Sequence, residues 1–209
     1  MRQSLFSVLG VLLCLSLPLA AQPIMEITPT VGYTFGGSFD ELGLPDSVVE
    51  SVDVNDNTSY GLIFDIGNEN GAFEVTWSHL SSELEGNGGA ADGVLLDYSS
   101  DNFQFGYVGY FGGDGPETKA FWNASLGFTD LNLADQESDT KFSAALGIGM
   151  KHQFNDRIGI RVQARWIPTY INTDDAYVVC DPYFCYTVGD DNYLYQTEVS
   201  AGLVIRLGH

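Results

Sequence analysis

After its first 21 residues the sequence lacks any apolar run long enough for a membrane-spanning helix, which needs about 20 residues. A protein that crosses a bilayer with α-helices is therefore excluded. If the exported chain spans a membrane, it must do so with β-strands. A helical period comparable in strength to the strand pattern described next is also missing.

Basic residues are scarce: 8 Lys and Arg stand against 28 Asp and Glu, a formal net charge of −20 at pH 7. Nucleic-acid phosphates and anionic lipid surfaces attract basic proteins, so we expect the chain to bind neither through its charge. With 44% hydrophobic residues it is too apolar for a disordered acidic tail. Its 209 residues suit a single domain.

The N-terminus has the features of a secretory signal peptide. Met1 and Arg2 give a short positive start, residues 5–19 are almost wholly apolar, and the small Ala20 and Ala21 follow. We therefore predict a cleaved signal peptide over residues 1–21 and one exported domain over residues 22–209.

Eight segments alternate apolar and polar residues with the period of two that is typical of β-strands. In the seventh segment, Ile158 and Val162 share one face and Arg161 lies on the other. Most segments approach the 9–11 residues with which a tilted strand crosses a bilayer. Pro29 and Pro168 cannot donate to a ladder and predict bulges or strand ends. The segments lie near residues 26–35, 60–66, 73–79, 102–111, 122–128, 142–151, 158–166 and 195–207.

The connections between these segments alternate in length. Long connections at one end and tight turns at the other are typical of outer-membrane barrels. The sequence thus predicts an all-β fold, an eight-stranded antiparallel up-and-down transmembrane β-barrel. The long, acidic connections are residues 37–57, 81–94, 130–139 and 171–192, and the short ones are residues 68–71, 112–117 and 153–157.

Alternation alone does not say which face points inward, since a soluble eight-stranded barrel such as a lipocalin also alternates. The charges on the polar face favour the membrane barrel. They balance, four acids against four bases, as a confined interior requires, because an unpaired buried charge is costly. The predicted interior charge network consists of Glu26, Asp65, Glu74 and Glu198 with Lys151, Arg161, Arg165 and Arg206.

Aromatic residues on the apolar face collect near the strand ends, where the two interfaces of a bilayer would lie. Scattered aromatics of a soluble core would not form two bands. We predict an aromatic girdle that includes Tyr33, Phe35, Trp77, Trp166 and Tyr195 at the end with long loops, and Trp122 at the end with short turns.

Residues 27–37, ITPTVGYTFGG, resemble the opening strand of the bacterial outer-membrane β-barrel family, in its OmpA/OmpX/OmpW-like eight-stranded group. Residues 74–84 resemble the third strand and its loop. Residues 200–207 are similar to the C-terminal signal read by the barrel-assembly machinery, with Ile205 and Leu207 where aromatics are usual. The resemblance implies a monomer in the cell outer membrane of a Gram-negative-type envelope. Its partners would be outer-membrane lipid, lipopolysaccharide and, during biogenesis, the assembly machinery.

Members of that group range from structural anchors to adhesins and small-solute conduits. We therefore expect a non-enzymatic protein with a structural or surface-interaction role, whose acidic extracellular loops could bind an extracellular ligand. No catalytic residue, cofactor or metal ion is predicted. The first alternative is a narrow pore or lateral conduit for small solutes.

A second alternative is an outer-membrane lipid A-modifying hydrolase. Such an enzyme would use His79 as base and Ser81 as nucleophile, with the nearby Glu83 as the acid that orients the histidine. The last long loop holds Cys180 and Cys185, and because the exported loop meets an oxidising environment we predict a disulfide between them.

Overall fold

The computed structural model describes residues 23–40, 51–87, 93–111, 117–133, 138–171, 177–180, 185–188 and 193–207. Within these ranges the structure contains no helix that is long and apolar enough to cross a membrane. The predicted signal peptide lies outside the described residues. The described residues form twelve strands: β1 (Ile24–Phe35), β2 (Ser38–Asp40), β3 (Ser51–Val54), β4 (Asn57–Asn68), β5 (Gly71–Asn87), β6 (Gly93–Phe111), β7 (Thr118–Leu133), β8 (Asp139–Gln153), β9 (Ile158–Tyr170), β10 (Tyr177–Cys180), β11 (Cys185–Val188) and β12 (Tyr193–Leu207).

The eight longest of these strands close into one antiparallel ring. Each pairs with the next in the order β1, β4, β5, β6, β7, β8, β9 and β12, and β12 pairs back onto β1. Because neighbours in the ring follow one another along the chain, the barrel is up-and-down. This confirms the predicted eight-stranded antiparallel fold. We call the end with the Asn68–Gly71 connection the turn end, and the opposite end the loop end.

The strands of the ring are strongly staggered. If each residue is followed to its register partner on the next strand around the ring, the path that starts at Ile24 on β1 returns to β1 at Thr34, ten residues further along the chain. It passes through Gly67, Ala72, Val108, Asn123, Gly147, Arg165 and Glu198. Stagger and strand number together fix the tilt and the diameter, and eight strands leave an interior that side chains can fill.

The polar face of the ring points inward. Along β9, Arg161, Gln163 and Arg165 are buried, whereas Ile160 and Val162 between them are exposed. This is the reverse of a lipocalin-like barrel, whose apolar face lines the interior. An apolar outer wall of this kind needs an apolar solvent, which is what the hydrocarbon core of a bilayer supplies.

Gly149 illustrates how closely the interior is filled. A Cβ atom on Gly149 would lie 2.4 Å from the Phe121 ring and 2.4 Å from the Val162 carbonyl oxygen. The Phe121 side chain, only 1% exposed, therefore occupies the space that a side chain at position 149 would need. A glycine is required here by the close approach of its neighbours.

The two prolines interrupt single ladders without a bulge. Pro29 pairs with Leu62 of β4, but the β1–β12 ladder has no pair between Ile27 and Thr30. Likewise Pro168 pairs with β12, and the β8–β9 ladder has no pair opposite it. Each proline thus withholds a donor from one neighbour, but the predicted bulges are absent: in the described ladders the register shifts only between Leu84 and Glu85.

The predicted long connections contain strand residues and are therefore shorter than the sequence indicated. Strand β5 continues to Asn87 and β6 begins at Gly93, so most of the predicted loop 81–94 is a hairpin that extends beyond the apolar wall. The predicted loop 37–57 contains β2 and β3, and β3 pairs with the far end of β5. Residues 171–192 contain the β10–β11 hairpin. Strand ends that leave the membrane lose their apolar face but keep their backbone hydrogen bonds, so hydrophobic periodicity does not detect them.

We predict that Gly149→Val destabilises the barrel by about 1–3 kcal/mol, because the added side chain overlaps Phe121 and the β9 backbone. Unfolding in urea, followed by tryptophan fluorescence in lipid vesicles, would measure the loss. Ile148→Val is the matched control, since its side chain points outward and lipid can fill the space it leaves. Equal stability of the two variants would contradict the close packing of Phe121 on Gly149.

Candidate functional site

The eight residues of the predicted interior charge network all point into the barrel. Seven of them are buried, and the side chain of Arg206, near the turn end, is 25% exposed. They form three groups of opposite charges, which lie at successive heights between the turn end and the loop end.

The group nearest the turn end surrounds Glu26. Lys151 Nζ donates to Glu26 Oε2 at 2.6 Å, and Arg206 Nη2 donates to Oε1 at 3.2 Å. Gln153 Nε2 also donates to Oε1, at 3.2 Å. Lys151 also donates to the Tyr110 hydroxyl at 2.9 Å, so this group fills the barrel interior near the turn end.

The second group is centred on Arg161. Its guanidinium donates to Asp65 Oδ2 at 3.2 Å and to Glu74 Oε2 at 2.5 Å. The Nε atom donates to Gln163 Oε1 at 2.9 Å, and the Phe121 ring lies 4.4 Å from the guanidinium carbon. One cation, only 1% exposed, therefore joins two carboxylates from neighbouring strands across the interior.

The third group joins Arg165 to Glu198. Arg165 Nη2 donates to Glu198 Oε1 at 2.9 Å and to Ser78 Oγ at 3.2 Å. Ser59 Oγ donates to the other oxygen of Glu198, at 3.5 Å.

Side chains that were not predicted from the sequence complete the filling. Most are uncharged, and the buried Lys141 pairs with Asp139 at 2.7 Å. Gln104 and Ser143 are joined by a 2.7 Å hydrogen bond, and Thr129 donates to Asn102 at 2.6 Å. Tyr110 lies on the same face of β6 as the polar Asn102 and Gln104, whereas Phe111 lies on the opposite, apolar face. Its place in the alternation alone indicates that it points inward. Apolar side chains close the loop end, namely Leu80, Tyr98, Leu131, Ile167, Ile171 and Leu194.

A cavity between Glu26, Asp65, Tyr110 and Lys151 at the turn end has a volume of about 20 Å³. This is room for roughly one water molecule. The interior at this height is therefore filled by side chains rather than by a column of solvent.

At the turn end, Lys119 pairs with Glu69 at the mouth of the lumen, where both line the cavity. The hydrogen bond from Lys119 lowers the pKa of the Glu69 carboxyl from its usual value. The contact joins the β4–β5 turn to the start of β7, and because Glu69 is well exposed, water screens it.

The predicted girdle residues lie on the outer wall. Tyr33, Phe35, Trp122, Trp166 and Tyr195 are each exposed by 41–51%. Tyr33 packs edge-on against Phe35 with ring centroids 4.9 Å apart, and Trp166 stacks on Tyr195 at 5.7 Å. Trp77 is partly covered, by an edge contact with Tyr60.

Trp77 also takes part in a polar cluster on the outer wall, close to the loop end. His79 Nδ1 lies 3.0 Å from Asp101 Oδ1, and His79 Nε2 lies 3.0 Å from Ser81 Oγ. The Trp77 indole N–H donates to the same oxygen of Asp101 at 3.0 Å. The Tyr60 ring lies 5.1 Å from the imidazole.

The acid in this cluster differs from the one predicted from the sequence. Glu83 was the candidate because it is near in the chain, but the structure pairs Glu83 with Asp97 in the ladder, and Asp101 is the register partner of His79. Proximity along β5 could not identify Asp101, because its position depends on the register between β5 and β6.

The predicted disulfide stays a prediction. The backbones of Cys180 and Cys185 are register partners at the end of the β10–β11 hairpin. Directly opposed residues of an antiparallel pair have Cα atoms about 4.5–5.5 Å apart, a separation that a disulfide can span.

A closed antiparallel ring with an apolar outer wall, aromatic strand ends and a polar, filled interior defines the fold of the bacterial outer-membrane eight-stranded β-barrels. Among solved structures, the chain is similar to the outer membrane protein OprG from Pseudomonas aeruginosa, with a TM-score of 0.58 and 13% identity over 90% of this chain and 96% of that one. It is also similar to Neisserial surface protein A, NspA, with a TM-score of 0.55 and 12% identity over 88% of this chain and 97% of that one. No family model and no curated protein sequence matches the chain.

We predict that Arg161→Met destabilises the barrel by about 3–5 kcal/mol, because it leaves Asp65 and Glu74 buried without their cation. Arg206→Met is the matched control, with a smaller expected loss, since Arg206 is partly exposed and Lys151 still pairs with Glu26. Urea unfolding in lipid vesicles would compare the two. If Arg206→Met proved the more damaging, the central place of Arg161 would be contradicted.

Proposed function

We propose that this chain is an integral protein of a bacterial outer membrane that acts at its surface, as a structural or surface-interacting protein, and not through its lumen. The observation that carries this proposal is the filled interior. At two heights buried ion pairs join strands that are not neighbours, namely Lys151 with Glu26, and Arg161 with Asp65 and Glu74. At the third, Arg165 pairs with Glu198 on the neighbouring strand and donates across the lumen to Ser78.

The outer wall supports membrane insertion. Phe73 and Ile148 are 70% and 67% exposed, and they belong to a continuous set of outward apolar side chains. An apolar surface of this extent would be an aggregation liability in water but matches a hydrocarbon solvent. The acidic loops of the sequence then lie outside, where they would meet lipopolysaccharide and any extracellular ligand.

The alternative of a small-solute pore is disfavoured by the same interior. A solute on the barrel axis would have to displace the Arg161 guanidinium from both of its carboxylates and then pass the apolar side chains at the loop end. Separating a buried ion pair without replacement costs several kcal/mol, so passage would be slow.

Liposome swelling tests the closed lumen. Vesicles that contain the purified, folded protein should swell in arabinose no faster than empty vesicles. The control is the triple variant Arg161→Ser, Glu74→Ser and Leu194→Ser, which keeps the net charge while removing the guanidinium and a buried apolar side chain at the loop end, and it should swell faster than wild type. Rapid, size-dependent swelling with wild type would overturn the closed-lumen proposal.

Fractionation tests the membrane placement. The full-length protein should sediment with outer membranes and should migrate faster on gels before boiling than after, because a folded barrel resists detergent. Recovery as a soluble periplasmic protein, with no shift on boiling, would contradict the proposal.

A further inference from the structure

We propose that Ser81, His79 and Asp101 form a hydrolytic site on the outer wall that cleaves acyl esters of lipids in the outer leaflet. The choice of a lipid substrate rests on the proposed outer-membrane placement. The arrangement of the three side chains does not, since it follows from the strand geometry alone.

The β-sheet itself brings the three side chains into line. His79 and Ser81 are two residues apart on β5 and therefore share a face. Asp101 is directly opposite His79 on β6, and on the same face. The imidazole thus lies between a carboxylate and a hydroxyl, with both hydrogen bonds at 3.0 Å. This is the acid–base–nucleophile order that defines a serine hydrolase triad by geometry.

The bonding also fixes the histidine tautomer. An ionised carboxylate only accepts hydrogen bonds, so the Nδ1 atom that faces Asp101 must carry the proton. In the neutral ring, Nε2 then accepts the hydrogen bond from the Ser81 hydroxyl. This is the state in which Nε2 can act as a general base.

Two aromatic residues hold the acid and the base in place. The indole N–H of Trp77 donates to the Asp101 oxygen that binds His79, which orients the carboxylate. Tyr60 lies beside the imidazole. The side chains of His79 and Asp101 are 19% and 25% exposed, whereas Ser81 is exposed. The base and its acid are thus shielded, and the nucleophile is open from outside.

The depth of the site selects the substrate class. Trp77 belongs to the aromatic girdle at the loop end, and its indole N–H contacts Asp101 directly, so the site adjoins the level of that girdle. A lipid in the outer leaflet has its acyl esters at the boundary between headgroup and hydrocarbon, close to this level. Its acyl chain would lie against the exposed apolar wall below, which Val75, Phe103 and Phe105 form.

The reaction is an acyl transfer to water. Ser81 Oγ attacks the ester carbonyl carbon while His79 Nε2 takes the hydroxyl proton, and the imidazolium is stabilised by Asp101. The C–O bond to the lipid alcohol then breaks, and this alcohol leaves with the proton from His79. A water molecule attacks the acyl-Ser81 ester, again with His79 as base. The fatty acid is released and the serine hydroxyl is restored.

Labelling with a fluorophosphonate tests the triad in detergent, independently of any lipid. Folded full-length protein should be modified at Ser81, as identified by mass spectrometry, and Ser81→Ala should not be labelled. His79→Gln should slow labelling by roughly 100-fold or more. The matched controls are Ser99→Ala, which changes the register partner of Ser81, and His152→Gln, which changes a histidine that shares a hydrogen bond with the Thr118 hydroxyl. Both should label like wild type.

Asp101 is a positioning residue, and its test needs a conservative variant. Asp101→Asn should lose labelling and Asp101→Glu should regain part of it, while both keep the mobility of a folded barrel on unboiled gels. Labelling of Ser81 no faster than that of other serines, or labelling unaffected by His79→Gln, would overturn the site.

The lipid substrate is tested with the protein in vesicles of phosphatidylethanolamine and, separately, of lipopolysaccharide. Release of fatty acid from either, lost in Ser81→Ala, supports the proposal and identifies the source of the ester. Labelled Ser81 without release from either would overturn the assignment to lipid esters. An inert Ser81 in a protein that fractionates with outer membranes would sink the hydrolytic site alone, whereas a reactive Ser81 in a soluble protein would instead refute the membrane placement.

Discussion

The structure depends on one constraint: every strand that crosses hydrocarbon must pair both of its edges, because no water is present to satisfy an open backbone. The ring closes where β12 pairs with β1, so that none of the eight barrel strands, as far as the structure describes them, has a free edge. Eight strands with a ten-residue stagger enclose a space only as wide as the side chains that fill it. The contents of the lumen follow from that width.

A narrow lumen with polar strand faces must be electrically balanced. Arg161 pairs with two carboxylates at once, and Lys151 and Arg206 share Glu26. Desolvation offsets much of the attraction within such buried pairs, so they contribute little net stability. They do penalise errors of register, because a shift of one residue would turn Arg161 toward the lipid. The ion pairs therefore contribute more to selecting the correct register of the strands than to the net stability of the barrel.

Much of this was predictable from the sequence, because alternation in a barrel assigns each residue to the wall or to the lumen. The parity of Glu26, Arg161 and Glu198 already indicated a shared interior. The partners were not predictable, since Arg161 meets Asp65 and Glu74 across the lumen, and that contact depends on the stagger. The role of Asp101 was not predicted for a related reason. Its position opposite His79 is set by the β5–β6 register, and the polar ends of this hairpin carry no hydrophobic pattern from which that register could be read.

A filled lumen leaves the outer wall and the loops as the surfaces on which the barrel can act. Most of that wall is apolar, with aromatic residues near the strand ends, and it serves to match the surrounding lipid. The exception lies just beyond Trp77, where an imidazole is held between a carboxylate and a hydroxyl at the level of the membrane boundary. A rim that only needed to be polar would be served by unconnected side chains. Trp77 orients Asp101, which orients His79, and this chain of contacts ends on an exposed serine, the geometry that general-base chemistry requires.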